Sequence, residues 1–216
     1  MFWIGFGDIH ENVERLALIK DLDKASGVLI SGDLTNGNVK KAEEIIKFLK
    51  QKNQNIYAQI GNMDTKDVEL FLEKEGINVN FKLISLTEDV FLFGAGYSTP
   101  TPFNTPSEVS EDFLKQKLYE KIEEIKKVKN LIFMTHTPPY NTETDKLLSG
   151  EHVGSLVIRN FIEEVQPQVV LTGHIHESQG VDKIGRSIII NPGTLKNGYV
   201  IIKWENNNLV PELIKL

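Results

Sequence analysis

Five short apolar runs in this 216-residue chain each break off into side chains able to bind a cation. Residues 2–7 lead to Asp8 and His10, residues 27–31 to Gly32 and Asp33, and residues 55–60 to Gly61, Asn62 and, two positions on, Asp64. Residues 131–135 give way to His136, and residues 168–172 to Gly173, His174 and His176. Short apolar runs bounded by turn residues read as strands buried on both faces. Amphipathic stretches lie between them. Ala42, Ile45, Ile46 and Leu49 fall at helical spacing within residues 39–52, and Leu114, Leu118, Ile122 and Ile125 form one stripe within 111–128. Further helices are expected at 12–25, 66–75 and 154–166, and two antiparallel strands at 78–94. Strands are also expected at 187–190, 199–204 and 209–214, the last two joined through Asn206-Asn207-Asn208. Repeated strand–helix units before a strand-rich tail predict an α/β fold with at least one mixed sheet. With no linker or internal repeat, residues 1–216 are expected to form a single domain.

Composition excludes several functions. A hydrophobic share of 40% with 25% charged residues is ordinary for a folded domain. No apolar run approaches the roughly 20 residues that span a bilayer. No basic region precedes the first apolar segment, so no ordinary secretory leader is expected, and a cytoplasmic location without membrane attachment follows. The absence of Cys removes disulfides, thiolate metal sites and cysteine nucleophiles together. A net charge of −6 and only three arginines argue against nucleic acid as the partner.

In open α/β sheets, ligands bind at the carboxyl ends of strands. Four of the five histidines lie there, with two aspartates and an asparagine. Asp8, His10, Asp33, Asn62, His136, His174 and His176 make seven donors, too many for one tetrahedral ion. They suit two ions sharing a ligand, and Asp33, whose carboxylate can offer one oxygen to each, is the natural bridge. Nitrogen and oxygen donors without sulfur favour Mn²⁺, Fe²⁺, Zn²⁺ or Ni²⁺ over Ca²⁺ or Cu⁺, and the ligands alone do not select among the four. Two divalent cations against two carboxylates leave about +2 locally, which attracts an anion despite the acidic chain. A small phosphate ester fits that description.

The ordered series Asp8-x-His10, Gly32-Asp33, Gly61-Asn62-x-Asp64, His136 and Gly173-His174-x-His176, with Asn191-Pro192-Gly193-Thr194 beyond it, resembles the calcineurin-like metallophosphoesterases. The resemblance implies a four-layered α/β/β/α sandwich of two mixed β-sheets flanked by helices. It implies a hydrolase of phosphate ester bonds, expected here to be a phosphodiesterase, with a hydroxide between the ions attacking phosphorus. Asp8, His10, Asp33 and His176 would hold one ion, and Asp33, Asn62, His136 and His174 the other. Where the family has a His as the proposed proton donor to the leaving group, this chain has Met63, whose thioether donates no proton. General acid catalysis is worth about 10²–10⁴-fold, so slow turnover or good leaving groups are expected. Asp64, which normally orients the missing His, is left without an assigned role.

Two rival functions share these blocks: a nuclease acting on DNA or RNA, and a non-catalytic scaffold of the same fold. The first lacks a basic stripe, and the second sits poorly with a complete ligand set. His152 matches no block and is expected in an exposed loop, with a substitute acid as the lesser reading. Tyr97, Phe103 and Tyr140 lie in long loops, roughly 95–110 and 137–152, and are candidates for lining a substrate site.

Overall fold

The apolar runs pair into two sheets whose strands alternate side chains between two cores. In the computed structural model, which describes residues 1–216, β1 (Phe2–Phe6), β2 (Gly27–Ile30) and β3 (Ile56–Ala58) run parallel. Two later strands, β10 (Gly198–Glu205) and β11 (Asn208–Lys215), extend this sheet antiparallel in the order β11-β10-β1-β2-β3. The second sheet joins β4 (Leu83–Ser85), β5 (Val90–Ala95), β6 (Asn130–Thr135), β7 (Val169–Leu171), β8 (Gly180–Ile184) and β9 (Ser187–Asn191). Its order is β4-β5-β6-β7-β9-β8, with β5, β6, β7 and β9 parallel and antiparallel strands at both edges.

Because side chains alternate along a strand, a strand between two layers must be apolar at every position. Ile4, Phe6, Val28 and Ile30 face α1 (Val39–Lys50) and α2 (Lys66–Lys74), where they meet Ile45, Leu49 and Leu72. Trp3 and Leu29 point the other way, onto Leu92, Ile132, Met134 and Leu171 of the second sheet. Phe93, Phe133, Val170 and Ile189 leave that sheet on its far side, toward α3 (Glu111–Tyr119), α4 (Ile122–Ile125) and α5 (Leu156–Val165). The result is the helix–sheet–sheet–helix order that the resemblance implied.

Two local expectations change, and one further strand appears. The stretch 12–25 forms only a 3-10 helix over Val13–Leu18, followed by turns, because Ile19 is extended (φ −73°, ψ 117°) and Asp21, with a left-handed φ of 58°, prevents the helix from resuming. The helix expected over 111–128 breaks at Lys121 (φ −112°, ψ 1°), and the turn still brings Ile122 and Ile125 to the core beneath the second sheet. The edge strand β8 had no strong apolar signal, since Val181 and Lys183 face solvent. The closing hairpin forms as expected, with Asn206 and Asn207 both left-handed, the conformation its two-residue turn demands.

Candidate metal centre

The carboxyl ends of β1, β2 and β3 meet those of β6 and β7 along one edge of the sandwich, and backbone hydrogen bonds lace the loops together there. Asp8 N donates to Gly32 O at 3.0 Å, Ile9 N and His10 N both donate to Asp33 O, and Gly173 N donates to His136 O at 3.2 Å. Asp8, His10, Asp33 and His174 all have left-handed φ values, 48°, 46°, 50° and 71°. Such a conformation costs a non-glycine residue about 1–3 kcal/mol and collects at functional sites. Two glycines let these side chains settle into the sheet ends. A Cβ on Gly61 would lie 2.2 Å from Asp33 Oδ1, and one on Gly173 would lie 2.4 Å from Asp8 Oδ2.

The seven expected donors converge, though not all with equal closeness. On one side, His176 Nε2 lies 3.1 Å from His10 Nε2 and 3.2 Å from Asp8 Oδ1. On the other, His136 Nε2 lies 3.0 Å from Asn62 Oδ1 and 3.5 Å from Asp33 Oδ2. Asp33 Oδ2 stands between the two sides, 3.7 Å from His10 Nε2. The tightest donor groups are Asp8–His10–His176 and Asp8–Asp33–His136, so Asp8 borders both. His174 stands back from these groups. Its ring centroid is 5.2 Å from that of His136, and its backbone N–H donates to both oxygens of Asp8 at 3.2 Å.

Hydrogen bonds on the far side of each ring assign which nitrogen carries the proton. His10 Nδ1 faces Asn36 Oδ1 at 2.9 Å, and His136 Nδ1 faces the Ser31 carbonyl at 3.2 Å. Both oxygens accept, so Nδ1 holds a hydrogen and Nε2 is the nitrogen turned inward, free to ligate once any proton on it leaves. Asn62 is fixed by a similar relay. Glu108 Oε1 takes the hydroxyl proton of Thr105 at 2.6 Å, leaving Thr105 to accept from Asn62 Nδ2 at 3.0 Å. The Asn62 amide therefore turns its oxygen to His136. His136 Nε2, an amide oxygen and a carboxylate therefore crowd together, and what belongs between them is positive, a proton or a cation.

The electrostatics agree. Burial works against the charge of His136, yet the adjacent Asp33 carboxylate raises its pKa from 6.5 to about 9, so in the metal-free protein a proton fills the gap. Burial also opposes the Asp33 charge, but His136 and His10 hold its carboxyl below the usual range. His174 is driven down to about 4 by burial and by the His136 charge, so it stays neutral and able to ligate. This donor set fits divalent ions of the borderline class.

Met63 lines the cleft above these groups, and its backbone N–H donates to Asp33 Oδ1 at 2.8 Å. Asp64 is fully buried beneath the ligands. It accepts from Leu34 N, Thr35 N, Thr35 Oγ1 and Gly61 N, tying the loops after β2 and β3 together. Burial and the nearby Asp33 charge push its carboxyl up to about 7. His152 donates to the buried Asp145 at 2.7 Å and does not line the cleft, so it stiffens its loop instead of supplying an acid. Of the three loop aromatics only Phe103 lines the cleft, while Tyr97 packs with Phe81 and Phe113 and donates to Glu69 at 3.0 Å. The Thr105–Glu108 relay was not anticipated, since nothing in its spacing marks it as part of the site.

The family model described as calcineurin-like phosphoesterase matches residues 4–178. An uncharacterized protein of Methanocaldococcus jannaschii, MJ1162, is 34% identical over 215 residues, covering 96% of this chain and 94% of its own. Among solved structures, TT1561 of Thermus thermophilus superposes with a TM-score of 0.72 at 18% identity, covering 98% of each chain. A dimetal phosphatase from Danio rerio gives 0.65 at 9% identity, covering 100% of this chain and 96% of that one. At these identities the two structures speak for the fold. No helix of this chain is long and apolar enough to cross a membrane.

Proposed function

The chain belongs to the calcineurin-like phosphoesterases, hydrolases of phosphate esters, and from that premise we propose that it is a metal-dependent phosphodiesterase acting on a small substrate. The observation that carries this reading is the convergence of His136 Nε2, Asn62 Oδ1 and Asp33 Oδ2 on one space that only a proton or a cation can fill. Asp8, His10, Asp33 and His176 would hold one divalent ion and Asp33, Asn62, His136 and His174 a second, with manganese the expected metal. When bound, such a pair supplies Lewis acidity, which acidifies water and offsets charge on the phosphoryl oxygens.

The chain's own contribution is orientation. Asn36 and the Ser31 carbonyl fix the His10 and His136 rings, and Thr105 fixes the Asn62 amide. The Met63 N–H holds one oxygen of Asp33, which leaves the other facing His10 and His136. Met63 hands no proton to the departing alcohol, so esters of acidic alcohols are the substrates this site serves best.

The test is hydrolysis of bis(p-nitrophenyl) phosphate with Mn²⁺, alongside elemental analysis of the protein as isolated. Turnover that requires the ion, and falls to the metal-free background in Asp33→Ala, is expected. Undiminished hydrolysis by Asp33→Ala would overturn the shared-ligand assignment.

A further inference from the structure

A cleft of about 850 Å³ rises over the candidate ligands, and its walls are chemically lopsided. His10, Asp33, Asn62, His174 and His176 supply its polar floor. Above them Met63 and Ile175, Pro100 and Phe103 from the loop 96–110, and Leu147 and Val153 from the loop 136–155 form an apolar wall. No Lys or Arg lines the cleft, and Glu177 adds a negative group at its edge.

Phe103 is the telling member. It is 82% exposed, a large apolar ring standing in water at the mouth of a polar site. Its position is held from below: Phe103 N donates to Thr101 Oγ1 at 3.1 Å, and Thr101 donates in turn to Glu108 at 2.6 Å. The carboxylate that orients Asn62 through Thr105 thus also pins the segment carrying Phe103. An exposed apolar group on a preorganised segment beside a binding floor marks a surface kept for an apolar partner. The charges limit that partner further. Loaded with two cations, the floor would answer one phosphate anion, and a second anionic group would find no cation along the wall and Glu177 against it.

We propose that this cleft selects phosphodiesters carrying a single negative charge and a flat, apolar group esterified to phosphorus, with Phe103 the specificity-determining residue that stacks on that group. This substrate class rests on the phosphodiesterase reading, and binding separates the two.

The probes are two phosphinates, benzyl(methyl)phosphinate and methyl(propyl)phosphinate, in which a CH2 group replaces the ester oxygen so that no ester bond remains to be hydrolysed, titrated by calorimetry into the Mn²⁺-loaded protein. The benzyl compound is expected to bind roughly 10-fold or more tightly than the propyl compound. Phe103→Ala should erase most of that ratio and Phe103→Leu retain part of it, and an exposed position makes both substitutions benign for folding. Benzyl and propyl compounds binding within twofold of each other, or an unaltered ratio in Phe103→Ala, would overturn the proposal. A large ratio without turnover of any diester would instead sink the phosphodiesterase reading and leave the cleft's preference standing.

Discussion

The hydroxyl of Thr105 accepts from Asn62 Nδ2 at 3.0 Å, and because Glu108 takes the Thr105 proton, the direction of that bond is set. A residue 43 positions away in sequence thereby decides which end of the Asn62 amide faces His136. Thr105→Val removes the acceptor and frees the amide to turn over. Loss of such an outer partner costs roughly 10–100-fold in metal affinity. Calorimetric Mn²⁺ titration should show one class of site weakened by that margin in Thr105→Val and nearly restored in Thr105→Ser. Equal affinities in all three proteins would mean the amide needs no such support.

Met63 stands where a proton donor would shorten the path of the leaving group. Met63→His should therefore raise kcat more for esters of alkyl alcohols than for nitrophenyl esters, whose leaving group needs little help. The ceiling is about 10²–10⁴-fold and a gain near the lower end is expected, since the donor's supporting contacts are missing. Asp64, which would brace such a His, is committed to Leu34, Thr35 and Gly61. Matched gains on both ester types would show that protonation is not what limits this position.

Proton and metal compete at His136. In the metal-free protein its pKa, about 9, lies above the ordinary 6.5, so the bound proton stabilises the fold fully below about pH 6.5. That contribution is lost as pH rises through about 9. The chelated protein should lose roughly 5 °C of Tm across this window relative to the Mn²⁺-loaded protein, where the proton has already left. Titrating Mn²⁺ at pH 8 in two buffers of different ionisation heat should reveal proton release. Heats independent of the buffer would show that no proton leaves.

Much of this molecule is legible in its sequence, for definite reasons. Val28, Leu29 and Ile30 are apolar in unbroken succession because the strand lies between two cores, and that run announces a buried strand unaided. The candidate donor blocks stand out in the sequence for the same reason, because each sits where an apolar run stops. What stays hidden depends on contacts between distant segments. The extended backbone at Ile19 and the left-handed one at Asp21 cut short the helix expected over 12–25. Asp64 reads as a site residue by position, yet the fold spends all its hydrogen bonds on backbone and Thr35. Tyr97 and Phe103 look alike on paper, and only packing against Phe81 and Phe113 separates the half-buried one from the one beside the cleft.

Asp8, Asp33 and Asn62 are anchored to the first sheet, and His136, His174 and His176 to the second. Cations gripped by both sets would act as rivets across a seam that is otherwise greased by interleaved hydrocarbon. Loading the centre would then do mechanical work as well as chemical: it would resist sliding of one slab past the other and tie catalytic readiness to the rigidity of the whole sandwich.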